Sequence, residues 1–173
     1  MVNFALISGL SLMMIIITCL FQYEVMRIVW NLLPRLTVAP RLRVLLIVVP
    51  IFAIHIVNIW LYAAAFFLIE HFTSIGVLAG RNQFAGVLYE SFVNALYFSA
   101  TTYTSLGFGD IVPTNDLRML TGAEVLNGLI LIGWTVSFTY LTMEAFWGMP
   151  HGHKHRSGEN ESARAHSPGR RPR

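Results

Sequence analysis

Thr101-Thr102-Tyr103-Thr104-Ser105-Leu106-Gly107-Phe108-Gly109-Asp110 lies between two long apolar runs, and the two glycines at alternate positions are its decisive feature. A row of backbone carbonyls can face one line only if some residues take left-handed dihedrals, which glycine adopts without steric cost. Gly107 and Gly109 are therefore expected to turn the chain's carbonyls inward, as an ion filter requires. A lone Gly-x-Gly carries little weight. Here it follows an apolar segment, residues 91–102, that is too short to cross a bilayer. Such a segment reads as a re-entrant helix, tolerated at membrane depth only where protein or water surrounds it.

Outward from this stretch, three segments are long and apolar enough to span. Residues 1–21 carry no charged side chain and show neither a basic leader region nor a small-x-small cleavage site, so they read as a retained anchor. Residues 44–69 interrupt their apolar run only with Pro50, His55 and Asn58. Residues 120–146 contain Glu124 and Asn127 near the start and Glu144 near the end. Composition agrees: 55% of residues are hydrophobic, 12% are charged and the mean hydropathy is +0.59. An average soluble domain is about 25% charged. The single cysteine, Cys19, excludes an internal disulfide framework and reads as a small apolar residue within a membrane helix.

The segment from Glu90 to Phe146 resembles the two-transmembrane pore module of tetrameric potassium channels, as found in small bacterial ion channels, with an extra helix ahead of it. Ser105-Leu106-Gly107-Phe108-Gly109 fills the five positions of that family's Thr-Val-Gly-Tyr-Gly filter, Thr104 and Asp110 extend the match, and Pro113 fits its Gly-Asp-x-x-Pro spacing. The resemblance implies an all-α membrane protein. Three transmembrane helices, a re-entrant pore helix and an extended filter would assemble as a homotetrameric pore. It implies that Thr104 to Gly109 form the filter and that the carbonyls of Ser105, Leu106, Gly107 and Phe108 ligate K+. The Ser105 hydroxyl would line the innermost site, and Thr101, Thr102, Phe98 and Asp110 would support the filter from behind. The function so implied is passive K+ conduction, with K+ in the filter and no other cofactor. The alternatives are a weakly selective Na+/K+ channel and a pore-like scaffold that does not conduct.

The chain divides into an N-terminal membrane helix (1–21), a cytoplasmic interfacial segment (22–43), a pore domain (44–146) and a basic tail (147–173) expected to be disordered. Arg27, Arg35, Arg41 and Arg43 lie between the first two spans, and six more basic residues follow the third; only Arg81 and Arg118 fall elsewhere. With a re-entrant loop, those ten lie on one side, which the positive-inside rule makes cytoplasmic. The N-terminus and the filter mouth then face outward across a plasma or inner membrane. The net charge of +3 follows from this topology and tail, so nucleic-acid binding is not expected, whereas the tail suits anionic lipid heads. His151, His153 and His155 read either as part of a solvated basic segment or as a metal or acid sensor. No phosphate loop, zinc-hydrolase motif or nucleophile-histidine-acid set points to an enzyme.

Departures from the family pattern carry expectations of their own. Serine at 105 and phenylalanine at 108 resemble the ether-à-go-go type of potassium channel, and Phe108 lacks the hydroxyl that would bond behind the filter. In ungapped alignment Phe98 takes the place of a tryptophan that binds the filter aspartate, and Thr101 that of a glutamate. Asp110 is thus expected to lack two partners, giving a pore prone to inactivation or reduced selectivity. Gly128 and Gly133 in the third span read either as a gate hinge or as small residues that let helices approach closely. Glu124 is placed to pair with Arg118, Asn127 to bond behind the filter or line the cavity, and His55 to pack helices or relay protons.

Overall fold

The structure, a computed structural model, describes residues 2–35, 40–73, 75–80 and 88–147. The side chains of Arg41 and Arg43, all of Arg81, and the tail from Gly148 with its three histidines lie outside the described residues.

Helix α1 runs from Val2 to Leu32. No glycine or proline occurs between Leu10 and Leu33, so nothing breaks it where the apolar run ends at Phe21. The expected division at residue 21 is therefore absent: residues 22–32 prolong the first helix instead of forming a separate interfacial one. Glu24 and Arg27, the first charges met, pair across one turn at 3.2 Å and so fit a helical surface. Inside the apolar part, Ser11 and Thr18 donate to the carbonyls of Ile7 and Met14, one turn back. Their hydroxyls are thus satisfied without leaving the helix. A 3-10 turn at Leu33–Arg35, carrying Pro34, ends it.

Helix α2 spans Pro40–Phe72 and opens on proline, whose fixed φ and missing N–H suit a first helical turn. The helix continues through Pro50. A short strand, β1 (Leu78–Gly80), precedes α3 (Leu88–Tyr103). At 16 residues α3 measures about 24 Å, short of the roughly 30 Å hydrocarbon core, so it enters and stops. Strand β2 (Ile111–Pro113) pairs antiparallel with β1, Gly80 opposite Ile111 and Leu78 opposite Pro113. Helix α4 (Leu117–Trp147) is the last of the described elements.

Among the described residues three helices, α1, α2 and α4, are long and apolar enough to cross a membrane. The chain is thus an all-α multi-pass membrane protein apart from one two-stranded ribbon. Helix α3 packs mainly on α2 and also on α4, while α1 lies against α4 and α2 of its own chain. The main core forms where α3 meets its neighbours, from Tyr62, Phe66, Ala95, Phe98, Leu117 and Leu120. The rings of Phe66 and Phe98 meet edge to face at 5.1 Å. A second, smaller core of Val29, Leu33, Ile47 and Ile51 ties the end of α1 to the start of α2.

Candidate functional site

The site begins where α3 ends. The Ser105 N–H bonds the Thr102 carbonyl at 2.9 Å and the Leu106 N–H bonds the Thr101 carbonyl at 2.8 Å. These are the paired bonds of a Schellman cap, which requires a left-handed residue at its fifth position. That residue is Ser105, with φ of 59°. Left-handed backbone costs an L-residue roughly 1–2 kcal/mol, offset here by carbonyls that the helix end would otherwise leave open. The Gly107 N–H shares the Thr101 carbonyl at 3.2 Å.

Beyond the cap the hand alternates. Gly107 has φ of 52° and Gly109 φ of 78°, while Leu106 and Phe108 between them are not left-handed. In an ordinary strand successive carbonyls point to opposite sides; reversing the hand at every second residue cancels that alternation and aligns them. A Cβ at either glycine would meet nothing within 4 Å in the chain, so dihedral freedom, not room, selects glycine there. Residues 104–110 are all exposed, and among the described residues no backbone hydrogen bond ends on a carbonyl of residues 104–109. This is a row of free oxygens. No cluster of three or more histidine, cysteine or acidic side chains converges among the described residues.

Neither Phe98 nor Thr101 bonds Asp110, but Asp110 has another partner. The Tyr97 hydroxyl donates to its Oδ2 at 2.8 Å. That bond, with the carboxylate beside it, pushes the Tyr97 phenol above the usual tyrosine range. The side chain that bonds Asp110 is thus one residue before Phe98. Successive helical side chains point about 100° apart, so Tyr97 reaches the strand while Phe98 turns into the core against Phe66. Thr101 bonds back to the Phe98 carbonyl at 2.9 Å and, with Thr102, is buried, while Thr104 bonds back to Ala100 at 2.8 Å. On the outer side, a Cβ on Gly80 would stand 2.6 Å from the Asp110 carbonyl, so β1 lies hard against the strand's end. Glu70, at the top of α2, accepts from the Leu78 N–H and anchors that strand.

Behind the strand lies a buried polar layer. Tyr103 is 1% exposed, and its hydroxyl meets His55 Nδ1 at 2.9 Å and Asn58 Nδ2 at 3.4 Å. His55 Nε2 meets Thr135 on α4 at 3.1 Å, and Asn58 reaches Gln22 of α1 at 3.3 Å. Asn127 donates to Thr18 at 2.7 Å and to Tyr62 at 3.1 Å, so it bonds between helices rather than lining a cavity. Glu124 is fully buried and bonds Ser99 of α3, not Arg118, whose Nε instead donates to the Pro113 carbonyl at 3.2 Å. Six residues apart, Glu124 and Arg118 sit about 120° apart around α4 and do not face each other. A Cβ at Gly128 would strike the Tyr103 carbonyl, which gives that glycine a close-approach role; Gly133 has open space. Tyr97, Ser99 and Tyr103 were not singled out from the sequence. Hydroxyls within an apolar re-entrant helix were the available signal.

The chain matches the model of a family described as ion channels over residues 42–145. Over 58 residues it is 38% identical to two-pore potassium channel 4 of Arabidopsis thaliana, a match covering 33% of this chain and 20% of that protein. Two-pore potassium channel 1 of the same plant is 40% identical over 58 residues, covering 33% and 16%. Two pore potassium channel a of Oryza sativa subsp. japonica is 36% identical over 67 residues, covering 36% and 19%. The chain thus spans about a fifth of the length of the curated relatives it matches. No solved structure matches.

Proposed function

This chain belongs to the ion-channel family, and we propose that it conducts K+ passively across a membrane through a filter of backbone carbonyls at Ser105, Leu106, Gly107 and Phe108. The observation that carries the reading is the alternation of left-handed φ at Ser105, Gly107 and Gly109 in an exposed strand with unbonded carbonyls. Such oxygens replace the hydration shell of a large monovalent cation, and several adjacent sites let ions enter and leave. The C-terminal end of α3, with its partial negative charge, points the same way chemically.

One strand cannot surround an ion, so the filter is a homotetramer's. Leu106 and Phe108 side chains, 58% and 65% exposed in the single chain, are the apolar surface that neighbouring subunits would cover. Non-helical backbone at membrane depth needs that enclosure too. The N-terminus and filter mouth face outward and the C-terminus lies in the cytoplasm, since the three spans and re-entrant α3 bring the basic loop and tail to one side. The Tyr97–Asp110 bond supports K+ selectivity over the weakly selective Na+/K+ alternative, because it restrains the outer end of a filter whose Phe108 has no hydroxyl.

Purified protein in liposomes under a K+ gradient, with Na+ as the competing ion and Ba2+ as blocker, tests this. Uptake of K+ well above Na+, blocked by Ba2+ and lost in Gly107→Ala, is the expected result. Equal K+ and Na+ flux would sink the selectivity, and no flux from intact tetramers would sink conduction.

A further inference from the structure

We propose that His55 is a positioning residue in a directed hydrogen-bond relay that couples the inner helix α4 to the filter through Tyr103. The inference rests on the filter reading above and goes beyond it by naming what sets the filter's rear support.

The geometry fixes the direction of each bond. The Thr135 hydroxyl lies 2.8 Å from the Ile132 carbonyl, which can only accept, so its one proton goes there. Its oxygen must then accept from His55 Nε2 at 3.1 Å, which places the imidazole proton on Nε2. Nδ1 is left as an acceptor, and the Tyr103 hydroxyl donates to it at 2.9 Å. The Tyr103 oxygen keeps a lone pair for Asn58 Nδ2 at 3.4 Å, so the tautomer set at the Thr135 end leaves every group along the chain matched. The T-shaped contact of the two rings, with centroids 5.9 Å apart, holds this orientation.

The position of the relay gives it consequence. Tyr103 is the last residue of α3, two before Ser105, and its neighbours Thr101 and Thr102 supply the carbonyls that cap the filter strand. Its own carbonyl sits against Gly128, so it touches α4 twice, by backbone above and through His55 below. At the far end, Thr135 bonds back to Ile132, the residue before Gly133, where α4 has open space on one side. Hydroxyl back-bonding of this kind bends helices. A rotation or bend of α4 there moves Thr135, and the only polar path from Thr135 towards α3 among the described residues is His55. Asn58 extends the relay to Gln22, so α1 is also joined to it.

The test combines two readouts on the full-length tetramer in bilayers. Nitrogen NMR of protein labelled at the imidazole should give the Nε2–H tautomer for His55, with an Nδ1 shift that changes in Tyr103→Phe. Bi-ionic reversal potentials should show K+ over Na+ permeability reduced about fivefold, the worth of one buried hydrogen bond, in Tyr103→Phe and in Thr135→Val. The double variant should lose no more than either single, because both cut one relay. His55→Gln, which keeps a donor and an acceptor, should recover most of what His55→Leu loses, and this pair serves if Tyr103→Phe fails to assemble. A conducting wild type with the Nδ1–H tautomer, or additive losses in the double variant, would overturn the relay alone. A wild type with no K+ flux would overturn the coupling together with the filter reading.

Discussion

Gly107 and Gly109 need glycine for their dihedrals alone, since a methyl group would meet nothing at either position within the chain. Gly107→Ala should therefore leave assembly measurable on size exclusion while abolishing K+ uptake. The alanine resists φ of 52° by roughly 1–2 kcal/mol and turns a carbonyl out of line. Tyr97→Phe, losing the hydroxyl that bonds Asp110, should speed the decay of K+ current and lower its preference over Na+, read from macroscopic currents. Because Tyr97 is held protonated above the usual tyrosine range, that bond is present at neutral pH and lost only as pH rises past its raised pKa. Current decay in the wild type should accordingly be insensitive to Tyr97 ionisation up to and beyond the ordinary tyrosine pKa of about 10. The glycine pair was legible in the sequence because its demand is local. Ser105 was not, because its left-handed φ follows from where α3 ends, and serine is an uncommon residue at that cap position. Tyr97 was not legible as a partner of Asp110, because on a helix one position exchanges a side chain facing the strand for one, Phe98, facing the core.

The helices were legible in kind but not in extent. Hydropathy located three spans, yet α1 runs eleven residues past the end of its uninterrupted apolar run at Phe21, since two charges that pair within a turn do not stop a helix. Polar residues within the spans were visible as costly, but their partners were not, because Asn127–Thr18 and Glu124–Ser99 join residues far apart in sequence. Packing separates the two inner-helix glycines. Gly128→Ala should destabilise the fold by about 1–3 kcal/mol, because its methyl meets a backbone carbonyl that cannot swing away. Gly133→Ala should be neutral or stabilising by up to about 1 kcal/mol from helix propensity, while reducing open probability if α4 bends there. Thermal unfolding in detergent separates the pair. Asn127→Leu should cost about 1–3 kcal/mol in the same assay, by removing the amide that bonds the buried Tyr62 and Thr18 hydroxyls.

At the scale of the whole molecule, the single chain leaves residues 104–110, with the large apolar side chains of Leu106 and Phe108, exposed, and the proposed tetramer would enclose them at membrane depth. The topology makes a further demand. The 33–35 turn and the 115–116 turn should lie on opposite faces, so a membrane-impermeant thiol reagent should label Asn115→Cys from outside and Arg35→Cys only from within, in a Cys19→Ala background. The central claim, that four strands hold K+ by backbone oxygens, is tested most directly by an experimental density map of the tetramer prepared in K+ and again in Na+. The account predicts a file of ion densities on the four-fold axis in K+, flanked by the carbonyls of Ser105, Leu106, Gly107 and Phe108, and weakened or lost in Na+. An assembly without a four-fold axis through residues 105–108, or a K+ map with no ion between those carbonyls, would contradict it.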